Sequence, residues 1–207
     1  MTSDRSQNVE DLSSSQRVIS SAPARDSILI FCDGACEPVN PGGTATYGYV
    51  IKFPGRQEPI EGSGIVGRGT GMSNNVAEYQ GFYAAVSHLL ETPDVSGRDV
   101  RIMSDSKMMI NQLNENWKVK RGLYMPYYAK AARVLRVLRV KVQSVTLEWI
   151  PRERNAEADA LSKRSFISDF LNHGRSGPLS PFRYGRVDHN SYDDVESSIQ
   201  MGGMQNE

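Results

Sequence analysis

Short apolar runs separated by turn-forming residues dominate the chain between residues 27 and 67. Three of these runs are rich in β-branched and aromatic residues, and Gly, Pro and Asn punctuate them. That pattern predicts three strands in a meander, over residues 27–33, about 45–53 and about 58–67. A helical spacing of apolar residues follows and predicts a helix over about 75–91.

The second half of the pattern alternates between strand and helix. It predicts a strand over 99–104, a short helix from Ser106 to about 114, a longer helix over about 124–139, a strand over 143–150 and a last helix over about 155–167. Three strands followed by alternating helices and strands predict an α/β fold with a mixed sheet and helices on its faces. A right-handed crossover through the helix over 75–91 would let strand 99–104 lie parallel beside strand 27–33.

The longer helix divides into apolar and basic positions. Apolar residues at helical spacing predict its core face at Tyr124, Tyr128, Ala131, Leu135 and Leu138. The positions nearer solvent are basic: Lys130, Arg133, Arg136 and Arg139. They belong to a run from Lys118 to Lys141 that holds eight Lys and Arg residues and no Asp or Glu. Because the formal net charge of the chain is zero, this basic surface is local. A solvated helix face is the ordinary explanation, and phosphate contact is the alternative.

The length of 207 residues fits one domain with tails. Residues 1–26 are rich in Ser, Asp, Gln and Arg and have no apolar periodicity, which predicts a disordered N-terminal tail. Residues 168–207 are rich in Gly, Ser, Asn and Asp, which predicts a flexible C-terminal tail. The folded domain is therefore predicted over 27–167.

Cysteine use and hydropathy predict the compartment. Cys32 and Cys36 are the only cysteines, and their spacing fits no zinc site, so we interpret both as reduced thiols. No apolar stretch approaches the roughly 20 residues of a membrane span, and the acidic N-terminus fits neither a secretory signal nor a transit peptide. We expect an intracellular protein, cytoplasmic or nuclear, that is monomeric and has no membrane or protein partner.

Four acidic residues lie where a predicted strand ends or a predicted helix begins: Asp33, Glu78, Asp105 and Asp159. Each has an ordinary local explanation. Asp33 followed by Gly34 is typical of a tight turn. Glu78 stands three residues after Asn75, which is typical of a capping box.

The other two acids have local explanations as well. Asp105 directly before Ser106 fits a helix cap, and Asp159 fits the positive end of the last helix dipole. Topology favours a different interpretation, because parallel pairing brings the ends of strands 27–33 and 99–104 to one edge of the sheet. If the first and last helices reach the same edge, four acids repel one another there and some of their pKa values rise. Divalent cations remove that penalty, so metal binding is the economical explanation.

The stretches around the four acids read FCDGACEPVNPGG, SNNVAEYQG, IMSDSKMMI and WIPRERNAEADALS. Their order and spacing between about Ser27 and Phe166 resemble the type 1 ribonuclease H family. The resemblance implies an RNase H-like fold, a five-stranded mixed sheet flanked by helices. It also implies an endoribonuclease that cleaves the RNA strand of an RNA/DNA hybrid.

The resemblance implies two Mg²⁺ or Mn²⁺ ions per site, held by the four carboxylates. Asp33 is expected to bridge the ions, while Glu78 and Asp105 complete the site of the ion near the leaving group. Asp159 is expected to help hold the ion that delivers water. The expected products are a 5′-phosphate and a 3′-hydroxyl.

Residues near the first helix are the implied substrate contacts. Asn40, Asn74 and Asn75 are expected to read the 2′-hydroxyls displayed in the minor groove of the hybrid. Ser73 and Asn74 are also candidates to hold a DNA phosphate. The local alternatives are a loop position before Pro41 for Asn40 and helix capping for Asn74 and Asn75.

Side chains in and near the basic run are the other implied contacts. Trp117, Lys118 and Lys120 stand where the family grips the DNA strand, and a core position is the alternative for Trp117. Many family members carry a His in the loop before the last acidic motif, whereas this chain has Arg152 and Arg154 there. Because Arg is protonated at neutral pH, we expect Arg152 to hold a phosphate or aid product release. The Arg-bearing loop resembles archaeal, bacterial and plant members of the family.

The leading hypothesis is therefore a metal-dependent endoribonuclease that acts on RNA/DNA hybrids. One alternative is a nuclease with the same site that also cleaves double-stranded RNA. The other is a non-catalytic RNase H-like module that binds nucleic acid.

Overall fold

The computed structural model describes residues 27–93 and 95–173. Their elements follow in the order β1 (Ile28–Glu37), β2 (Gly42–Lys52), β3 (Ile60–Gly69), α1 (Asn74–Glu91), β4 (Asp99–Ser104), α2 (Lys107–Leu113), α3 (Met125–Lys141), β5 (Ser144–Trp149), a 3₁₀ turn (Arg152–Arg154) and α4 (Ala156–His173). In this part of the chain, no helix is long and apolar enough to cross a membrane. The predicted N-terminal tail and residues 174–207 lie outside the described residues.

The five strands form one mixed sheet in the order β3-β2-β1-β4-β5. β1 to β3 form the predicted antiparallel meander. β4 pairs with β1 in parallel, from Ile28 opposite Val100 to Phe31 opposite Met103, and β5 pairs in parallel with β4. The predicted fold class and the predicted parallel pairing are both confirmed.

The first strand is longer than its sequence pattern predicts. It runs to Glu37 instead of ending at residue 33, because antiparallel pairing with β2 continues after parallel pairing with β4 has stopped at Phe31. Asp33 therefore lies inside a strand, opposite Gly48. The tight-turn interpretation of Asp33 and Gly34 is wrong.

The core lies between the sheet and the helices α1 and α3. Alternate β1 residues, Ile28, Ile30 and Cys32, have no exposed surface. The main buried side chains of α1 are Val76, Tyr79, Phe82, Val86 and Leu89. The predicted core face of α3 is confirmed, since Ala131, Leu135 and Leu138 are buried while the basic positions are exposed or partly exposed. Cys32 and Cys36 are both buried free thiols.

The last helix extends beyond its predicted end at about residue 167, to His173. A buried ion pair accompanies the extra turn. Arg68 on β3 donates hydrogen bonds to both carboxylate oxygens of Asp169, which is 6% exposed. Sequence periodicity could not predict this extra turn, because Asp169 pairs with Arg68, about 100 residues earlier in the chain.

Candidate active site

Asp33 and Asp105 lie at the same edge of the sheet. Asp33 follows Phe31, the last β1 residue that pairs in parallel with β4, by two positions. Asp105 directly follows Ser104, the last residue of β4. Because the two strands run in the same direction, the two carboxylates come near enough for their charges to interact.

Two glycines let helices approach the sheet on either side of Asp33. A Cβ at Gly34 would lie 2.3 Å from the backbone nitrogen of Glu78 on α1. A Cβ at Gly48, the β2 partner of Asp33, would lie 2.5 Å from the backbone nitrogen of Ser162 on α4. Neither distance leaves room for a side chain, so only glycine allows these contacts. The absent side chains bring α1 and α4 to opposite faces of the sheet beside the acid.

Serine hydroxyls hold Asp33, which is buried, and Glu78, which is partly buried. The Ser162 hydroxyl donates to Asp33 Oδ2 at 2.8 Å, and the Ser106 hydroxyl donates to the carboxylate of Glu78. Ser162 has no exposed surface, and Ser106 is 6% exposed. Both donors are neutral, so they orient the carboxylates without supplying a positive charge.

An asparagine amide holds the third acid. Asn155 Nδ2 donates to Asp105 Oδ1 at 2.7 Å and to the carbonyl oxygen of Cys32 at 3.0 Å. Asn155 is 1% exposed, and its Oδ1 is buried with no hydrogen-bond partner among the described residues. One side chain therefore joins β1, the end of β4 and the start of α4.

The local capping interpretations of Glu78 and Asp105 are wrong. Ser73 caps α1, since its hydroxyl accepts a hydrogen bond from a first-turn backbone N–H at 3.3 Å. Ser106 caps α2 in the same way, also at 3.3 Å, while its proton goes to Glu78. Neither helix start uses the acid that the sequence pattern offers as a cap, so both carboxylates are available to the site.

Burial changes the protonation of two of the acids. It raises the pKa of Asp33 to about 6, against the lowering effect of the Ser162 hydrogen bond and with a further increase from the charge of Asp105. Burial likewise raises the pKa of Glu78 to about 7, although the bond from Ser106 lowers it. Near neutral pH and without a cation, Glu78 is therefore only partly ionised, whereas Asp33 becomes largely protonated only below about pH 6.

Asp159 has a different environment, with a cation at each oxygen. Arg152 donates to Oδ1 at 2.6 Å, and Lys163 donates to Oδ2 at 2.6 Å. Burial alone would raise the pKa of Asp159, but the bonds from Lys163 and Arg152 hold it below its ordinary value. The same contact raises the pKa of Arg152. Asp159 also lies in the first turn of α4, so its favourable position on the helix dipole is confirmed.

The donor set has the chemistry that a hard divalent cation requires. In their present conformation, the described side chains include no group of three or more His, Cys, Asp or Glu residues that could hold a metal ion. The acids nevertheless offer oxygen ligands only, and among the described residues Asp33 and Glu78 form no ion pair with Lys or Arg that would neutralise their negative charge. A divalent cation would supply that charge, so the residues fit such an ion.

The predicted substrate-contact residues form two separate groups. Asn40 Oδ1 accepts a hydrogen bond from the backbone nitrogen of Asn74 at 3.0 Å, which places Asn40, Ser73 and Asn74 together at the start of α1. Ser73 is the α1 cap, so helix capping by Asn74 or Asn75 is wrong; Asn75 lies in the first turn, partly buried.

The second group lies on the loop between α2 and α3. Trp117 is 46% exposed, and Lys118 and Lys120 are exposed beside it. The core position suggested as an alternative for Trp117 is therefore wrong. All three side chains are accessible from solvent.

Four residues that contact the acids escaped the sequence predictions: Ser106, Asn155, Ser162 and Lys163. The last three belong to or directly follow the stretch NAEADALS, in which the sequence analysis identified only Asp159 as a site residue. Lys163 stands four residues after Asp159, a spacing at which helical side chains meet, and this signal was available in the sequence. The contact of Ser162 with Asp33 spans 129 residues and carried no local signal.

Comparisons with known proteins agree with this geometry. Residues 32–165, which include all four acids, match the family model described as reverse transcriptase-like. Bifunctional protein Rv2228c of Mycobacterium tuberculosis is 31% identical over 136 residues, which cover 65% of this chain and 34% of that protein. Ribonuclease HI of Synechocystis is 34% identical over 100 residues, 48% of this chain and 55% of that protein. The chain thus spans about a third to a half of the length of these curated relatives.

A solved structure extends the likeness to three dimensions. LC11-RNase H1, isolated from compost and solved in complex with an RNA/DNA hybrid, superimposes with a TM-score of 0.59 at 27% identity. The match covers 70% of this chain and 99% of that one. Together with the family match over residues 32–165, it shows that the chain belongs to the reverse transcriptase-like family, as a type 1 ribonuclease H member.

Proposed function

We propose that this protein is a metal-dependent endoribonuclease that cleaves the RNA strand of RNA/DNA hybrids and leaves 5′-phosphate and 3′-hydroxyl ends. The observation that carries the proposal is that acids from separate elements lie close enough to interact, Asp33 with Asp105 and Asp159, and Glu78 with Asp33 and Asp105, and that the pKa values of Asp33 and Glu78 are raised. A purely structural site has little reason to gather buried carboxylates that repel each other. A site for divalent cations does.

The four carboxylates have unequal roles in this proposal. Asp33, Glu78, Asp105 and Asp159 would hold two Mg²⁺ or Mn²⁺ ions, with Asp33 shared between them. Bound ions of this kind lower the pKa of attacking water and stabilise a departing oxygen. The chain itself orients the ligands, since Ser162, Ser106 and Asn155 each hold one carboxylate by a neutral hydrogen bond.

Asp159 and Arg152 set a condition on cation binding. Both oxygens of Asp159 are engaged by cationic side chains, so a divalent ion must displace at least one of them. Arg152 and Lys163 have 65% and 51% of their side-chain surface exposed, and such ion pairs are weak, so the exchange is inexpensive. Once displaced, Arg152 would be available to hold a phosphate, which supports a role in product release.

Substrate choice follows from the two contact groups. Asn40, Ser73, Asn74 and Asn75 lie together at the start of α1. Ser73, Asn74 and Asn75 stand five, four and three positions before Glu78 in the chain. Amide and hydroxyl groups there suit 2′-hydroxyls and phosphates of a hybrid. The exposed Trp117, Lys118 and Lys120 suit a phosphate backbone. The hybrid bound to LC11-RNase H1 supports this choice of nucleic acid.

A pair of Asp variants tests the proposal. Asp105→Asn retains an oxygen that can accept from Asn155 but loses the charge, so we expect it to bind hybrid and to lose cleavage in Mg²⁺. Asp99→Asn is the matched control, because Asp99 lies at the other end of β4 and accepts from Ser144 at 2.5 Å, which Asn can also do. We expect that variant to cleave like the unaltered protein.

The same assay separates the alternatives. A labelled hybrid and a labelled RNA duplex of the same sequence are incubated with the protein in parallel, and product ends are analysed. Cleavage of both substrates at similar rates would support the broader nuclease. Hybrid cleavage by Asp105→Asn would contradict the proposed site.

A further inference from the structure

A buried polar network lies beneath the basic loop, defined as residues 117–121. The Tyr124 hydroxyl donates to the carbonyl oxygen of Lys120 at 3.0 Å and accepts from the backbone nitrogen of the same residue at 3.3 Å. Gln112 Nε2 donates to the carbonyl oxygen of Lys118 at 3.2 Å and to the Tyr124 hydroxyl at 3.3 Å. Two side chains therefore fix the loop backbone at two residues.

The orientation of the Gln112 amide is determined by its surroundings. Its Oε1 accepts a hydrogen bond from the Tyr79 hydroxyl, and its nitrogen faces the carbonyl oxygen of Lys118. A flipped amide would direct oxygen at oxygen, so only one arrangement satisfies all its groups. Gln112 is 3% exposed and Tyr79 has no exposed surface, so water does not compete for these bonds.

The tyrosine ring is held as firmly as its hydroxyl. It stacks on Tyr79 with ring centroids 5.5 Å apart, and a Cβ at Gly122 would lie 2.7 Å from Tyr124 Cε1. The start of the loop is anchored too, because the Asn111 carbonyl oxygen accepts from the backbone nitrogens of Asn116 and Trp117. The basic loop is thus fixed at both ends, although it has no regular secondary structure.

The network contacts the loop backbone and leaves its basic side chains exposed. None of the bonds just described involves the ammonium group of Lys118 or Lys120, or the guanidinium of Arg121. All three side chains are exposed. A fixed backbone that presents several cations to solvent is suited to a ligand with regularly spaced negative charges, such as a nucleic-acid backbone.

We propose that Gln112 and Tyr124 are positioning residues that hold the basic loop in one conformation, in which Lys118 and Lys120 meet the phosphates of bound hybrid together. This inference rests on the proposed function. A loop that is already ordered loses less conformational entropy on binding than a mobile one. Loss of the network therefore weakens hybrid binding and leaves the cleavage step unchanged.

Tyr124→Phe tests the first half of the proposal, because it removes the hydroxyl and keeps the ring. Trypsin cleaves after Lys and Arg, so Lys118, Lys120 and Arg121 report on loop mobility. We expect cleavage within the loop to become about three- to tenfold faster, the effect of losing hydrogen bonds of ordinary strength. Tyr128→Phe is the matched control, since Tyr128 is half-buried one turn later on α3 and packs edge-on against Tyr79. Equal trypsin rates for the two variants would overturn the proposal.

Hybrid affinity tests the second half. In the Asp105→Asn background, where hybrid stays intact, we expect Tyr124→Phe to raise the Kd about three- to tenfold. The increase in Kd should disappear when Lys118 and Lys120 are both replaced by Gln. In the Tyr124→Phe single variant, the rate of cleavage at saturating hybrid should be unchanged. An unchanged Kd, or a loss that persists without the two lysines, overturns the proposal. Failure of the Asp105→Asn protein itself to bind hybrid contradicts the proposed function instead, and the trypsin comparison still decides whether Tyr124 fixes the loop.

Discussion

Ser162→Ala removes the hydroxyl that α4 donates to Asp33, and the cost in stability should depend on pH. Ser162 Oγ lies 2.8 Å from Asp33 Oδ2, and Asp33 is 7% exposed, so solvent screens this contact little. A hydrogen bond to a charged group contributes about 1.5–3 kcal/mol. Converted at 1.36 kcal/mol per pKa unit, its loss should raise the folded-state pKa of Asp33 by about 1–2 units above its value of about 6.

The sign of the effect follows from the direction of that shift. The folded pKa of Asp33 already lies above its ordinary value of 3.8, so folding is favoured by protonation, and this contribution is lost as pH rises through about 6. When Ser162→Ala raises the folded-state pKa of Asp33 further, the loss of stability with rising pH becomes larger and continues to higher pH. Ser162→Ala should therefore cost about 1.5–3 kcal/mol more at about pH 8.5 than at about pH 4.

Urea unfolding in EDTA at the two pH values measures this difference. The Ser162 hydroxyl has one proton, and the carbonyl oxygen of Asp159, 2.9 Å away, is an alternative acceptor for it, so the cost that remains at pH 4 is that of a neutral hydrogen bond. Ser165→Ala, at a half-buried position one turn later on α4, is the control and should show the same small cost at both pH values. An equal cost of Ser162→Ala at both pH values would refute the account of how Asp33 is held.

Three further variants test packing and charge by urea unfolding. Gly34→Ala should lower the free energy of unfolding by about 1–3 kcal/mol or more, because the added Cβ would lie 2.3 Å from the backbone of α1. Gly71→Ala is the control and should be nearly neutral, since a Cβ there has no atom within 4 Å. Equal costs for the two variants would contradict the close approach of α1. Arg68→Met removes the ion pair of the buried Asp169 and should lower the free energy of unfolding by about 3–5 kcal/mol. Replacing Asp169 by Leu as well should restore most of that stability. If the double variant is no more stable than Arg68→Met, the loss comes from packing and not from charge. Arg152→Gln should change stability by less than about 1 kcal/mol, since its ion pair is largely exposed, and a larger loss would give Arg152 a structural role.

The sheet and its topology could be predicted because they rest on local patterns. Alternating apolar runs identified all five strands, and the helix between the third and fourth of them is long enough for a right-handed crossover that makes β4 parallel to β1. The edge that gathers Asp33 and Asp105 followed from that pairing alone. Strand and helix ends were less predictable, as β1 shows, because its length depends on how far β2 follows it.

The contacts that hold the acids could not be predicted in the same way. A serine at position 162 and an asparagine at position 155 look like ordinary residues of a helix and its cap. Their roles appear only when α4 lies against the sheet, and that approach depends on the missing side chain of Gly48. The local capping interpretation of Glu78 was wrong because Ser73 caps that helix end instead.

The basic run illustrates a mixed outcome. Charge counting predicted an exposed basic surface, and the α3 face confirms it. Charge counting gave no indication that Gln112 and Tyr124 fix the basic loop, because Tyr124 fits equally well as a core position of α3 and Gln112 belongs to no pattern in the sequence. Networks of this kind depend on buried polar groups that meet only in the folded chain.

Cleavage of an RNA/DNA hybrid is the most direct test of the central claim. The unaltered protein is incubated with a hybrid labelled on its RNA strand in Mg²⁺, in Mn²⁺ and in EDTA, and the product ends are analysed. We expect cleavage of the RNA strand with either cation, no cleavage in EDTA, and products with 5′-phosphate and 3′-hydroxyl ends. Hybrid that is bound tightly yet remains intact with both cations would contradict the central claim.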